Sequence, residues 1–137
     1  MNTNDGRGKI KHIERAQQIN NFEQLRYGNI TPTDIDGLIE YKNKAYVIFE
    51  IKYQEARAPY GQKLAMKRFV DDVTSNRKQA VAFICEHQVH NTNNSVNAAE
   101  CMVRELYMKP YGCWKLMKKP MNLKEAIDIF ILFVDKP

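Results

Sequence analysis

Apolar and polar positions along the chain recur with different periods, and each period predicts an element. Over residues 10–27 the apolar positions Ile10, Ile13, Ala16, Ile19, Phe22 and Leu25 return about every third residue, which predicts an amphipathic helix stopped at Gly28. Residues 35–41 and 45–53 read as two antiparallel strands. The short connection Lys42-Asn43-Lys44 offers Asn43 for an unusual backbone angle. Pro59-Tyr60-Gly61 then punctuates, and a helix is expected to run to about Ser75, with Leu64, Ala65, Phe69, Val70 and Val73 facing inward. The unbroken apolar run Ala80-Val81-Ala82-Phe83-Ile84-Cys85 has the pattern of a strand buried on both faces.

Residues 90–97 are polar and Asn-rich, hence a surface loop, and 101–108 form a further strand with Val103, Leu106 and Met108 as candidates for burial. Asn122, with Glu125 three positions on, makes a capping box that opens a last helix reaching about Val134. The expected order is therefore α-β-β-α-β-β-α. A hairpin, a crossover helix and a buried strand in succession predict an α/β domain with a mixed central sheet flanked by helices. Residues 1–9 read as a loosely held arm, leaving 10–137 as a single domain.

Composition narrows the class. The 137 residues are 44% hydrophobic and 27% charged, ordinary for a globular chain. No apolar run approaches the length of about eighteen residues that spans a bilayer, so no membrane partner is expected. The polar, charged start has no apolar core of the secretory type, which makes the cytoplasm the expected compartment. Three widely spaced cysteines, Cys85, Cys101 and Cys113, fit reduced thiols better than a disulfide framework. His87 and His90, taken with Cys85 and Cys101, match no zinc spacing.

The net charge of +5, from 21 basic and 16 acidic residues, favours a polyanionic partner. Lys109, Lys115, Lys118 and Lys119 surround Tyr111 and Trp114, combining cations for phosphates with rings for exposed bases. That segment is the expected nucleic-acid contact.

The chemistry concentrates in the hairpin. Strand alternation sends Glu50 and Lys52 to one face and Phe49 and Ile51 to the other, while Asp36 enters the adjoining strand. Two carboxylates beside one ammonium suit a hard divalent cation, Mg²⁺ or Mn²⁺, and an activated water at a phosphodiester. Asp36 and Glu50 are the expected carboxylate ligands, and the backbone carbonyl of Ile51 could complete the set. Lys52 would orient the water and offset developing negative charge. Gln62, at the start of the following helix, could touch the water or the scissile phosphate. No small-molecule cofactor is expected.

These residues, Asp36, Glu50-Ile51-Lys52 and Gln62, together with the order of elements over residues 10–86, resemble the signature of the PD-(D/E)XK nuclease superfamily. Ile35 stands where the family's nominal proline would precede Asp36, and Asp34 competes for the same role. The resemblance implies a restriction-endonuclease-like core and a Mg²⁺-dependent deoxyribonuclease, endo- or exonucleolytic, with Asp36, Glu50 and Lys52 as the catalytic set. It also implies an extra acid from the first helix, Glu14, with Glu23 as the competitor. Holliday-junction-resolvase-like relatives further imply a homodimer acting on branched or processing intermediates of DNA, and a phage origin. The other reading is a catalytically inactive nucleic-acid-binding or assembly protein that retains the nuclease fold.

Overall fold

A sheet covered by helices on both sides needs strands that are apolar on both faces, and the central strands of this chain meet that requirement. The computed structural model describes residues 6–137, which fall into an N-terminal unit ending at Pro32 and a C-terminal unit, Thr33–Pro137. Most of the arm expected over 1–9 lies outside the described residues.

In the N-terminal unit the single helix expected over 10–27 is not formed. Its place is taken by one turn of helix, α1 (Ile13–Ala16), a 3-10 turn at Glu23–Leu25, and an isolated bridge between Tyr27 and Ile30. The sequence explains the correction. A strict three-residue spacing drifts off one face of a 3.6-residue helix, and Ile13, Ile19, Phe22 and Leu25 are all exposed, so no buried stripe supports the helix. Asn20 and Asn21 also compete locally: Asn20 donates to the Gln17 carbonyl and Asn21 accepts from the Glu23 amide.

The C-terminal unit is an α/β layer structure built on a five-stranded mixed sheet in the order β1 (Gly37–Tyr41), β2 (Ala45–Tyr53), β3 (Gln79–His87), β4 (Met102–Tyr107), β5 (Lys115–Leu116). β2 and β3 are parallel, joined through helix α2 (Tyr60–Ser75), and the other pairs are antiparallel. The β1–β2 turn places Lys42 and Asn43 at φ 51° and 59°, the twin left-handed residues of a tight hairpin turn, with the Lys44 amide donating to the Tyr41 carbonyl at 2.8 Å. Gly37 sits opposite Phe49 on β2. A Cβ there would come within 2.1 Å of the Phe49 ring, so this strand entrance requires glycine for close approach.

Two apolar clusters cover the sheet. On one face Val47, Val81, Phe83 and Val103 pack with Leu123, Ala126 and Phe130 of α3 (Leu123–Val134). On the other, Ile48, Ala82, Ile84 and Tyr107 pack with Met66 and Val70 of α2. Met66, fully buried, takes a central place on α2 where Leu64 and Ala65 were expected and are only partly buried. The capping box of α3 is formed as expected: the Asn122 side chain accepts from the Glu125 amide at 2.8 Å, and the Glu125 carboxylate accepts from the Asn122 amide. Tyr107, the buried ring of β4, donates its hydroxyl to Asp71 of α2 at 2.6 Å. No helix among the described residues is long and apolar enough to cross a membrane.

Candidate active site

The hairpin register and strand alternation together bring the expected residues to one end of β2. Because Gly37 pairs with Phe49, the residue before it, Asp36, reaches the neighbourhood of Glu50 and Ile51. Asp36 Oδ2 accepts from the Ile51 backbone N–H at 2.7 Å, which holds the carboxylate at the strand entrance. Ile51 thus contributes through its amide as well as carrying the carbonyl assigned above. Lys52 Nζ lies 3.5 Å from Glu50 Oε1 on the α2-covered face, and register places Glu86 of β3 beside Lys52.

Glu50 is 5% exposed and is the buried charged residue of the described core. Its other oxygen, Oε2, is buried without a hydrogen-bond partner. Burial raises the Glu50 carboxyl from 4.5 to about 7; the neighbouring Asp36 charge adds to the rise and Lys52 opposes it. A carboxylate in this position is poorly solvated and underpaired by protein, which is the condition a bound cation would relieve.

Gln62, in the first turn of α2, donates its Nε2 to the Asp34 carbonyl at 2.7 Å. It therefore braces the 34–36 segment, and its own Oε1 is a second buried acceptor without a partner. The competitor carboxylate Asp34 takes part here through its backbone. Arg104 of β4, which sequence patterning did not single out, donates to the Ala56 carbonyl at 2.7 Å and the Gln54 carbonyl at 3.4 Å. It ties down the connection from Lys52 to α2. Nothing local marks it, because its partners lie about fifty positions away.

Asp36 and Glu50, with the Ile51 carbonyl, fit the open, water-completed coordination of Mg²⁺ or Mn²⁺, which uses one or two carboxylates and not a closed cage. Among the described residues, no group of three or more His, Cys, Asp or Glu is gathered to hold a metal. Burial pushes the Cys85 thiol up to about 12, leaving it an inert core group; Cys101 is also buried and Cys113 exposed, all three free. Glu14 and Glu23 belong to the N-terminal unit, exposed in the first turn of α1 and in the 3-10 turn.

The basic segment has a mixed placement. Trp114 is half-buried, its ring 5.8 Å from Tyr107 and 5.1 Å from Lys63 Nζ, so it anchors the α2-side core. Tyr111 lines an apolar recess of about 550 Å³ with Met117, Phe130 and Phe133. Lys109 donates to Ser75 at 2.8 Å, whereas Lys115, Lys118 and Lys119 are exposed.

No family model matches the chain, and neither do curated proteins or solved structures.

Proposed function

We propose that the chain is a metal-dependent nuclease that hydrolyses phosphodiester bonds in DNA, with a restriction-endonuclease-like core. The observation that carries this reading is buried Glu50, one oxygen unpartnered, beside Asp36 and 3.5 Å from Lys52. Asp36 and Glu50 would hold Mg²⁺ or Mn²⁺ with the Ile51 carbonyl. When bound, that ion would supply Lewis acidity at the phosphoryl oxygens and make a nearby water easier to deprotonate. Asp36 contributes a fixed position, since the Ile51 amide holds one of its oxygens. Lys52 orients the attacking water and offsets charge as it builds on the phosphoryl group. Gln62 keeps the 34–36 segment in place, and its free Oε1 is an acceptor for that water. Lys115, Lys118 and Lys119 supply exposed cations for the DNA backbone. A homodimer would present two such sites to two strands.

Branched and single-stranded DNA are the substrates to try. Cleavage is expected with Mg²⁺ or Mn²⁺, to stop when the ion is chelated, and to fall at least ~10³-fold in Asp36→Asn and Glu50→Ala, each of which removes a ligand charge. Denaturing gels of end-labelled strands read the result. DNA binding without cleavage across several divalent metals would move the chain to the binding or assembly class.

A further inference from the structure

Ligands of α/β sheets collect beyond the carboxyl ends of parallel strands, and β2 and β3 are the parallel pair here. Their final residues, Lys52 and Tyr53 on β2 and Glu86 and His87 on β3, lie in register at that edge. A depression of about 240 Å³ is lined there by Asp36, Ile51, His87 and Val96, so its wall includes a residue of the cluster described above. The volume equals roughly eight waters, ample for a phosphate group with its ester oxygens.

His87 is prepared for one role in this depression. Its Nδ1 accepts from the Val89 backbone N–H at 3.1 Å. An accepting Nδ1 fixes the neutral ring in the tautomer that carries its proton on Nε2. That Nε2–H is a donor with no hydrogen-bond partner among the described residues, and it is unsuited to metal ligation, which needs a bare nitrogen. The ring is also held in place: Tyr53 lies 5.4 Å from it, and Tyr53 in turn packs edge-on against His90 at 5.8 Å and hydrogen-bonds His90 Nδ1 through its hydroxyl.

We propose that His87 donates a hydrogen bond to a phosphate oxygen of the nucleic-acid strand, in a subsite adjoining Asp36 and braced by the Tyr53–His90 pair. The identity of the ligand rests on the nuclease reading. Asp36 on the same wall repels an anion while its charge is uncompensated. Occupancy by phosphate is therefore expected to strengthen when a divalent cation neutralises the carboxylates.

The test is binding of a labelled single strand with slowly cleaved phosphorothioate links, followed by fluorescence anisotropy in Mg²⁺. His87→Ala is expected to weaken binding about tenfold, while His87→Gln, whose amide offers an N–H at a similar reach, stays within roughly twofold of wild type. Where alanine disturbs the packing under Tyr53, His87→Asn, too short to reach, takes its place. Ring ¹⁵N resonances of His87 should report the Nε2–H tautomer and shift when DNA is added. Wild-type affinity in both His87→Ala and His87→Asn, or a bare Nε2 in the spectrum, would overturn the proposal. Cleavage is not needed for any of these readings. A strand bound through His87 and never cut would sink the nuclease reading alone, whereas Glu50-dependent cutting indifferent to His87 would sink the subsite alone.

Discussion

Glu50→Gln is expected to make the metal-free protein more stable at neutral pH while removing its cleavage activity. The sign follows from the raised carboxyl. In the folded chain Glu50 titrates at about 7, against 4.5 when unburied, so the fold holds a proton that the unfolded chain releases. Below about pH 4.5 the group is protonated in both states and costs nothing. As pH rises from there through about 7, the folded state must either keep the proton or bury an ionised carboxylate, and stability falls by up to roughly 3 kcal/mol. Above that window the loss is complete. Glutamine keeps the shape and has no such titration. The difference in unfolding free energy between variant and wild type should therefore be small near pH 4.5 and grow to its full value by about pH 8, a shift in melting temperature on the order of 10 °C. Urea titrations at several pH values, with the ion chelated, measure it. A variant that tracks wild type at every pH would show that Glu50 is not a strained buried acid.

Lys52→Met carries the second large effect, and it separates chemistry from ion binding. Removing one positioned donor or cation from a site of developing negative charge typically lowers turnover by about 10²–10³-fold. The same change removes a positive charge 3.5 Å from Glu50 Oε1 and leaves both proposed ligand carboxylates in place. Single-turnover cleavage should fall by that factor while affinity for Mn²⁺ holds or tightens. Wild-type cleavage by purified Lys52→Met protein would remove Lys52 from the mechanism. Equal loss of turnover and ion affinity would recast it as a support for the pocket.

Much of this site is legible in the sequence because strand geometry is rigid. The alternation of β2 fixes which side chains share a face, and the left-handed pair Lys42 and Asn43 fixes the hairpin register that carries Asp36 to Glu50. Asn122 and Glu125 announce α3, and the apolar run at 80–85 announces β3, because each signal is local. What escaped depends on partners distant in sequence. Residues 10–27 have helical-looking spacing but their large apolar side chains stay exposed, so pattern without burial misleads there. Met66 takes the inner position on α2 in a cluster with Ala80, Ala82 and Ile84 of β3, partners that spacing alone does not reveal. The two residues of β5 are too few to show a period. Arg104 and the Tyr53–His87–His90 group matter through contacts that only the assembled sheet creates.

Titration of the metal-free protein with Mn²⁺, followed by electron paramagnetic resonance, asks most directly whether one ion is shared between Asp36 and Glu50. Saturable binding to wild type, reduced at least about tenfold in Asp36→Asn and in Glu50→Gln alike, is the expected result. Unchanged affinity in both variants would mean that these carboxylates do not grip the ion on which the proposed hydrolysis depends.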